Sequence, residues 1–339
     1  MPSGRQYTQA FYLQDQIKWK NIIFSTGVRY DHINNIGQKN FAPRYNDISL
    51  GHNYSQKNYN GWSYYLGLNY NVNHYLSLFT NFSRTWRAPV IDEQYETQYK
   101  QSSGPVTATS LNLEKEMINQ TRVGGIITLN HLFQENDAFQ FRTTYFYNRG
   151  KNEIFKTRGV NCVGNAADTN HVCPKIIGNY RNLPGYVIQG AELEAYYQST
   201  YLFGELTYSY VKGKRDTSPR NPWGKTSTWI AEIPPRKATA TLGFNIPKYN
   251  FTAGWRAEFV RRQDRSPLSG DPEANYWSLP ASRGYSLHNL FLSWSPAKIK
   301  GMNVKITVDN LFNRAYNPYL GELASGTGRN IKFSLSQKF

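Results

Sequence analysis

No stretch of this chain approaches the roughly 18 uninterrupted apolar residues that a membrane-spanning helix requires, and the mean hydropathy is only −0.64. Helical membrane proteins are therefore excluded. Acidic residues are scarce, 23 Asp+Glu against 39 Lys+Arg, which leaves a formal charge of +16. Cysteine is limited to two residues in 339, so at most one internal disulfide can form. No repeat of constant blade length runs through the chain, which argues against a propeller. The first residues, MPSGRQYTQAF, lack the charged start, apolar stretch and small-residue cleavage site of a secretory signal.

What the chain does have is aromatic side chains: Tyr 26, Phe 18 and Trp 8, or 15% of all residues. That is more than a polar soluble protein needs for its core. A transmembrane β-barrel resolves the conflict, because only every second residue meets lipid, the rest line a wet lumen, and aromatics gather at both interfaces. The required alternation is present. Phe139, Phe141, Thr143, Tyr145 and Tyr147 share one parity, against Gln140, Arg142, Thr144 and Asn148. Leu202, Leu206, Tyr208 and Tyr210 likewise oppose Glu205, Thr207 and Ser209, and Ile331, Phe333, Leu335 and Phe339 oppose Lys332, Ser334, Ser336 and Lys338.

Counting such runs gives about thirteen strands, each near the roughly 9 to 11 residues that a tilted strand needs to cross the hydrocarbon. Charged residues within them are expected to face the lumen. Connections alternate between short ("KN", "NVNH", "QST", "PKYN") and long, the long ones lying near 32–62, 88–115, 151–184, 212–236, 262–284 and 313–329. Outer-membrane barrels have this asymmetry of tight periplasmic turns and extended outer loops. A soluble β-sandwich has no reason for it. Because single-chain bacterial barrels have an even number of antiparallel strands, the odd count suggests the C-terminal fragment of a longer barrel, with residues 1–339 as one unit.

Four words in order, "YLQDQIKWKNIIFSTGVRYD", "FSRTWRAPVIDEQY", "SLNLEKEMINQTRVGG" and "VDNLFNRAYNPYLGE...GTGRNIKFSLSQKF", resemble the C-terminal part of TonB-dependent outer-membrane receptors over almost the whole chain. The resemblance implies an all-β, antiparallel transmembrane barrel of about 22 strands around a plug. This chain would hold about the last 13 strands, while the plug, the TonB-contacting segment, about nine strands and the signal peptide would lie outside it. It also implies an integral outer-membrane location, energy from the TonB complex, and a terminal strand read by the barrel-assembly machinery through its final aromatic, Phe339.

Within that family, Arg87, Ala88 and Pro89 of "RTWRAP", followed by Asn112 and Leu113 of "SLNLEKE", resemble the paired boxes of haem and haemoprotein receptors. The implied cargo is haem or haem taken from a haemoprotein, with no intrinsic cofactor and no enzymatic role. Family members commonly carry an iron-coordinating His between the boxes. Here there is none, only Tyr95, Tyr99 and the acidic Asp92, Glu93 and Glu96. Tyrosinate is a known haem ligand, so Tyr95 and Tyr99 are candidates, and ferric siderophores or other metal chelates stay open as cargo.

His171 is a further candidate ligand, since it lies between Cys162 and Cys173 in one long connection, and His32 and His52 fall in the first. Two cysteines in one extracytoplasmic loop favour a disulfide; a metal site would need more ligands. His74 and His131 fall at periplasmic turns and His288 within a strand. The basic runs "KGKR" (212–215) and "RRQDR" (261–265) could suggest nucleic acid, but on such a barrel the simpler partners are lipopolysaccharide phosphates and anionic ligands. Two rivals from other classes are a passive porin and an outer-membrane enzyme. The second would need a nucleophile with a His partner, and no such motif occurs.

Overall fold

In hydrocarbon no water satisfies backbone N–H and C=O groups, so each strand must bond to a neighbour. The computed structural model, which describes residues 3–97, 99–100, 104–105, 108–156, 178, 180–216, 228–265, 282–320 and 325–338, meets that demand with an antiparallel meander. Its elements are β1 (Ser3–Trp19), β2 (Ile22–Gln38), β3 (Lys57–Asn71), β4 (Leu76–Arg87), helix α1 (Ile91–Tyr95), β5 (Tyr99–Lys100), β6 (Gly104–Pro105), β7 (Glu116–Asn130), β8 (Ala138–Lys156), β9 (Tyr180–Gln198), β10 (Leu202–Arg215), β11 (Thr228–Trp229), β12 (Lys237–Ile246), β13 (Phe251–Val260), β14 (Tyr285–Trp294), β15 (Met302–Asp309) and β16 (Asn330–Gln337). Apart from the β5–β6 hairpin they form one 14-stranded sheet, with β11 attached to the outer end of β10. The sheet is open, β1 and β16 each being paired on one side.

Register fixes the two faces, because cross-strand partners project to the same side. On β3 the row Trp62, Tyr64, Leu66, Leu68, Tyr70 is exposed despite its apolar character, as are Ile331, Phe333 and Leu335 of β16. These rows face lipid. The opposite face is wet: Arg122, Arg142, Glu192 and Glu194 line a cavity of about 480 Å³ on the luminal wall together with Phe79 and Asn81. Luminal rings also lie flat on neighbouring strands. A Cβ on Gly124 would stand 2.4 Å from the Phe79 ring, and one on Gly243 2.1 Å from Phe203, so only glycine permits those contacts.

Three expectations need correction. Several strands are longer than a membrane crossing, 17 residues in β2 and 19 in β8 and β9, and so rise above the bilayer. His32 consequently belongs to β2 rather than to the first outer loop. Asp15 breaks the rule that charge faces the lumen: it shares the outward row of β1 with Leu13 and Ile17, and nothing in the structure explains it.

With the wall's apolar residues turned to lipid, buried apolar side chains collect at the outer mouth instead. Tyr59, Ala88, Tyr95, Leu113, Ile154, Leu183, Ile230, Ala231 and Ile233 make that core.

Candidate functional site

The mouth is organised by the segment joining β4 to β7. Arg87 ends β4, and its guanidinium donates through Nη1 to Glu93 Oε2 at 2.7 Å and through Nε to Glu116 Oε2 at 2.9 Å. Glu116 begins β7, so one planar fork closes the base of the loop. Glu93 also accepts the Val90 N–H at 3.0 Å, which fixes the start of α1.

Inside this base runs a buried polar chain. Asn35 Nδ2 donates to Pro89 O and to Gln94 Oε1, both at 2.8 Å; Gln94 Nε2 donates to Tyr59 Oη at 3.3 Å; Tyr59 Oη donates to Leu113 O at 3.0 Å. The chain therefore joins the two sequence boxes through β2, β3 and α1. Ala88 and Leu113 are buried beside it, whereas Asn112 is exposed. Ser110 N–H donates to Gln94 O at 2.7 Å and Thr109 N–H to Gly51 O at 3.1 Å, binding the returning arm to α1 and to the first outer loop.

Tyr95, at the end of α1, is fully buried. Its single hydroxyl proton is shared between Asn35 O at 3.1 Å and Ser55 O at 2.8 Å. The ring comes so close to β2 that a Cβ on Gly37 would stand 2.7 Å from it, and it stacks on Tyr54 with centroids 6.1 Å apart. Tyr54 Oη donates to Tyr45 O at 2.8 Å. Burial pushes both phenols above their ordinary value, so near neutral pH they are uncharged hydrogen donors.

Around this pair opens a cavity of about 660 Å³ whose walls include Lys39, Phe41, Tyr45, Tyr54, Asp92, Glu96, Lys156 and Tyr180. Lys156 Nζ lies 2.7 Å from Glu96 Oε1 and 5.4 Å from the Tyr180 ring centroid. Phe41 stands fully exposed at the rim. Aromatic faces, neutral phenols and charges of both signs suit an amphipathic ligand with an aromatic body and ionised edges.

Of the residues singled out from the sequence, Arg87, Ala88, Pro89, Leu113 and Tyr95 meet here. His52 is buried in the first outer loop, and His32 Nδ1 sits 2.6 Å from Asn60 Oδ1 on the neighbouring strand. The side chain of Tyr99, and His171, Cys162, Cys173 and Phe339 altogether, lie outside the described residues. Asn35, Tyr59 and Gln94 had no individual signal, because each contact spans tens of residues. Tyr45, Tyr54 and Tyr180 could have been suspected from the tyrosine content of the long connections.

Residues 1–311 match the family model described as "TonB dependent receptor-like, beta-barrel". The chain is 96% identical over 339 residues to the protein named TonB-dependent heme receptor A of Haemophilus influenzae (strain 86-028NP), covering 100% of this chain and 46% of that protein. It is 59% identical over 340 residues to the protein of the same name in Haemophilus ducreyi (strain 35000HP / ATCC 700724), again covering 100% and 46%. Among solved structures, a double mutant of the Serratia marcescens hemophore receptor HasR in complex with its hemophore HasA and heme superposes with a TM-score of 0.71. That match has 18% identity and covers 99% of this chain and 52% of HasR, a likeness of fold. The chain thus spans about half the length of the curated relatives it matches.

Proposed function

The chain belongs to the TonB-dependent receptor β-barrel family, which makes it integral to the outer membrane, and from that premise we propose that it is the C-terminal barrel portion of a receptor importing haem. In this reading residues 1–339 supply part of the wall and several ligand-facing loops, while the plug and the remaining strands belong to the rest of a longer protein. Haem, or haem drawn from a haemoprotein, is the cargo, and the TonB complex supplies energy through a segment outside this chain.

The observation that carries the reading is the 96% identity, over every residue of the chain, to a protein named as a heme receptor. The clamped mouth supports it: both boxes converge on one buried network, and that network holds open a tyrosine-rich cavity large enough for an aromatic ligand. This chain's own part is to bind and orient. Aromatic faces at Phe41 and Tyr180 would take the flat of a macrocycle, and Lys39 a carboxylate at its edge.

The test uses the full-length receptor, offered haem, haemoglobin and a panel of ferric siderophores. Binding is followed by the haem absorption band and uptake by growth with each compound as sole iron source. A haem response with growth on haem is the expected result. Growth on a siderophore without any haem response would transfer the cargo to ferric chelates and leave the transporter assignment standing.

A further inference from the structure

An ion pair on the wall of the mouth cavity stands where a flat ligand would lie. Lys156, the last residue of β8, faces Tyr180, the first of β9, across the ladder. Cross-strand partners project to the same side, and the ammonium covers one face of the phenol ring, 5.4 Å from its centroid. Its charge is met from another element: Glu96, which caps the C-terminal end of α1, places Oε1 at 2.7 Å from Lys156 Nζ. The pair straps the outgoing arm of the β4–β7 connection to the outer end of the β8–β9 hairpin. The returning arm is held separately, because Ser110 Oγ accepts the Tyr180 N–H at 3.1 Å and Asn182 Oδ1 accepts the Glu114 N–H at 2.8 Å. Opening the pair therefore leaves the connection docked.

Two properties make this pair exchangeable. The Lys156 side chain keeps 35% of its surface exposed, and an ion pair so open to water is held weakly. An ammonium is also a compact point charge on a flexible stem, so one carboxylate replaces another on it without a demand on geometry. Arg87 is the contrast, a planar fork committed to Glu93 and Glu116 at once. Asp92 and Glu96 both line the cavity, so an incoming carboxylate is repelled unless it takes a lysine for itself.

We propose that Lys156 is a specificity-determining residue of the mouth: as the ligand enters, its ammonium leaves Glu96 for a carboxylate at the edge of the macrocycle and uncovers the Tyr180 face for the ring. The inference rests on the haem reading above. The covered face can take a macrocycle only if the ammonium moves, and the ammonium keeps an ionic partner after moving only if the ligand brings a carboxylate. Ring stacking and ligand charge are thereby coupled at one residue. A porphyrin whose carboxylates are esterified lacks the means to open that face.

The full-length receptor in detergent is titrated with haem and with haem dimethyl ester, as the parent and as Lys156→Met, Glu96→Gln and the double variant. The parent should bind haem more tightly than the diester, and Lys156→Met should weaken haem about tenfold while leaving the diester unchanged. Glu96→Gln removes the competing carboxylate. It should tighten haem about threefold, and have no effect in the Lys156→Met background. A strap that only held the loop would give the opposite sign, since cutting it from either side would weaken both ligands alike. Equal affinity of the parent for haem and diester, equal loss of both in Lys156→Met, or weaker haem binding in Glu96→Gln overturns the proposal and leaves the haem reading standing. A parent that binds neither porphyrin yet grows on a siderophore removes the haem reading and this inference with it.

Discussion

The carboxylate of Asp137, in the inner turn before β8, accepts hydrogen bonds from the N–H groups of Leu132, Phe133 and Gln134 at 2.6, 2.8 and 3.0 Å and from Tyr197 Oη at 2.9 Å. Desolvation on its own would raise its pKa, but the four donors outweigh that and hold it below the ordinary 3.8. A carboxylate depressed in the folded state adds stability above its unfolded value and loses it as pH falls through the folded one. Protease nicking of this turn should therefore be constant from neutral pH down to about 4 and rise below it. Asp137→Asn should be nicked faster at neutral pH and show no such acid step. At the outer end, Tyr95→Phe removes the one proton shared by the buried Asn35 carbonyl and the part-buried Ser55 carbonyl and should cost about 1–3 kcal/mol, read as a fall in the denaturant midpoint of the mouth.

At the scale of elements, the loop between β4 and β7 depends on the Arg87 fork. Its guanidinium is 41% exposed while Glu116 is 8% exposed, so Arg87→Ala strands a mostly buried carboxylate beside a partly solvated gap. A loss of about 1–2 kcal/mol is expected, below the cost of breaking a fully buried pair, and limited proteolysis within 88–113 should report it. We also propose that Cys162 and Cys173 tie the connection between β8 and β9. Protein taken from the outer membrane should then show no alkylatable thiol until reduced, and two thiols without reductant would remove the tie. The strands themselves were legible because lipid on one side and water on the other force a period of two, as in Phe139–Tyr147. The upper parts of β2, β8 and β9 were not, since above the hydrocarbon both faces meet polar surroundings: His32 and Asn34 stand outward where a crossing strand would carry Val or Tyr. The Asn35–Gln94–Tyr59 chain left no sequence trace, because an amide or phenol side chain reads alike whether buried or solvated and these partners lie 35 and 59 residues apart.

For the whole molecule, the open sheet leaves the outer edges of β1 and β16 with unpaired backbone groups, and each such group costs several kcal/mol in hydrocarbon. Residues 1–339 expressed alone should not yield a heat-resistant monomer in micelles. A heat-modifiable, protease-resistant band would show that the edges find some other closure.

The division between a wall whose apolar side chains point outward and a mouth with a core of its own sets two clocks for deuterium uptake. Wall amides are shielded by the bilayer as well as by the ladder, so moving the full-length receptor from nanodiscs to a short-chain detergent should quicken their exchange. Amides of the mouth, such as those of Gln94 and Ser110, are shielded by hydrogen bonds and packing within the mouth and not by lipid. Their exchange should ignore that transfer and slow when haem is added, so one labelling series separates what the lipid protects from what the cargo does.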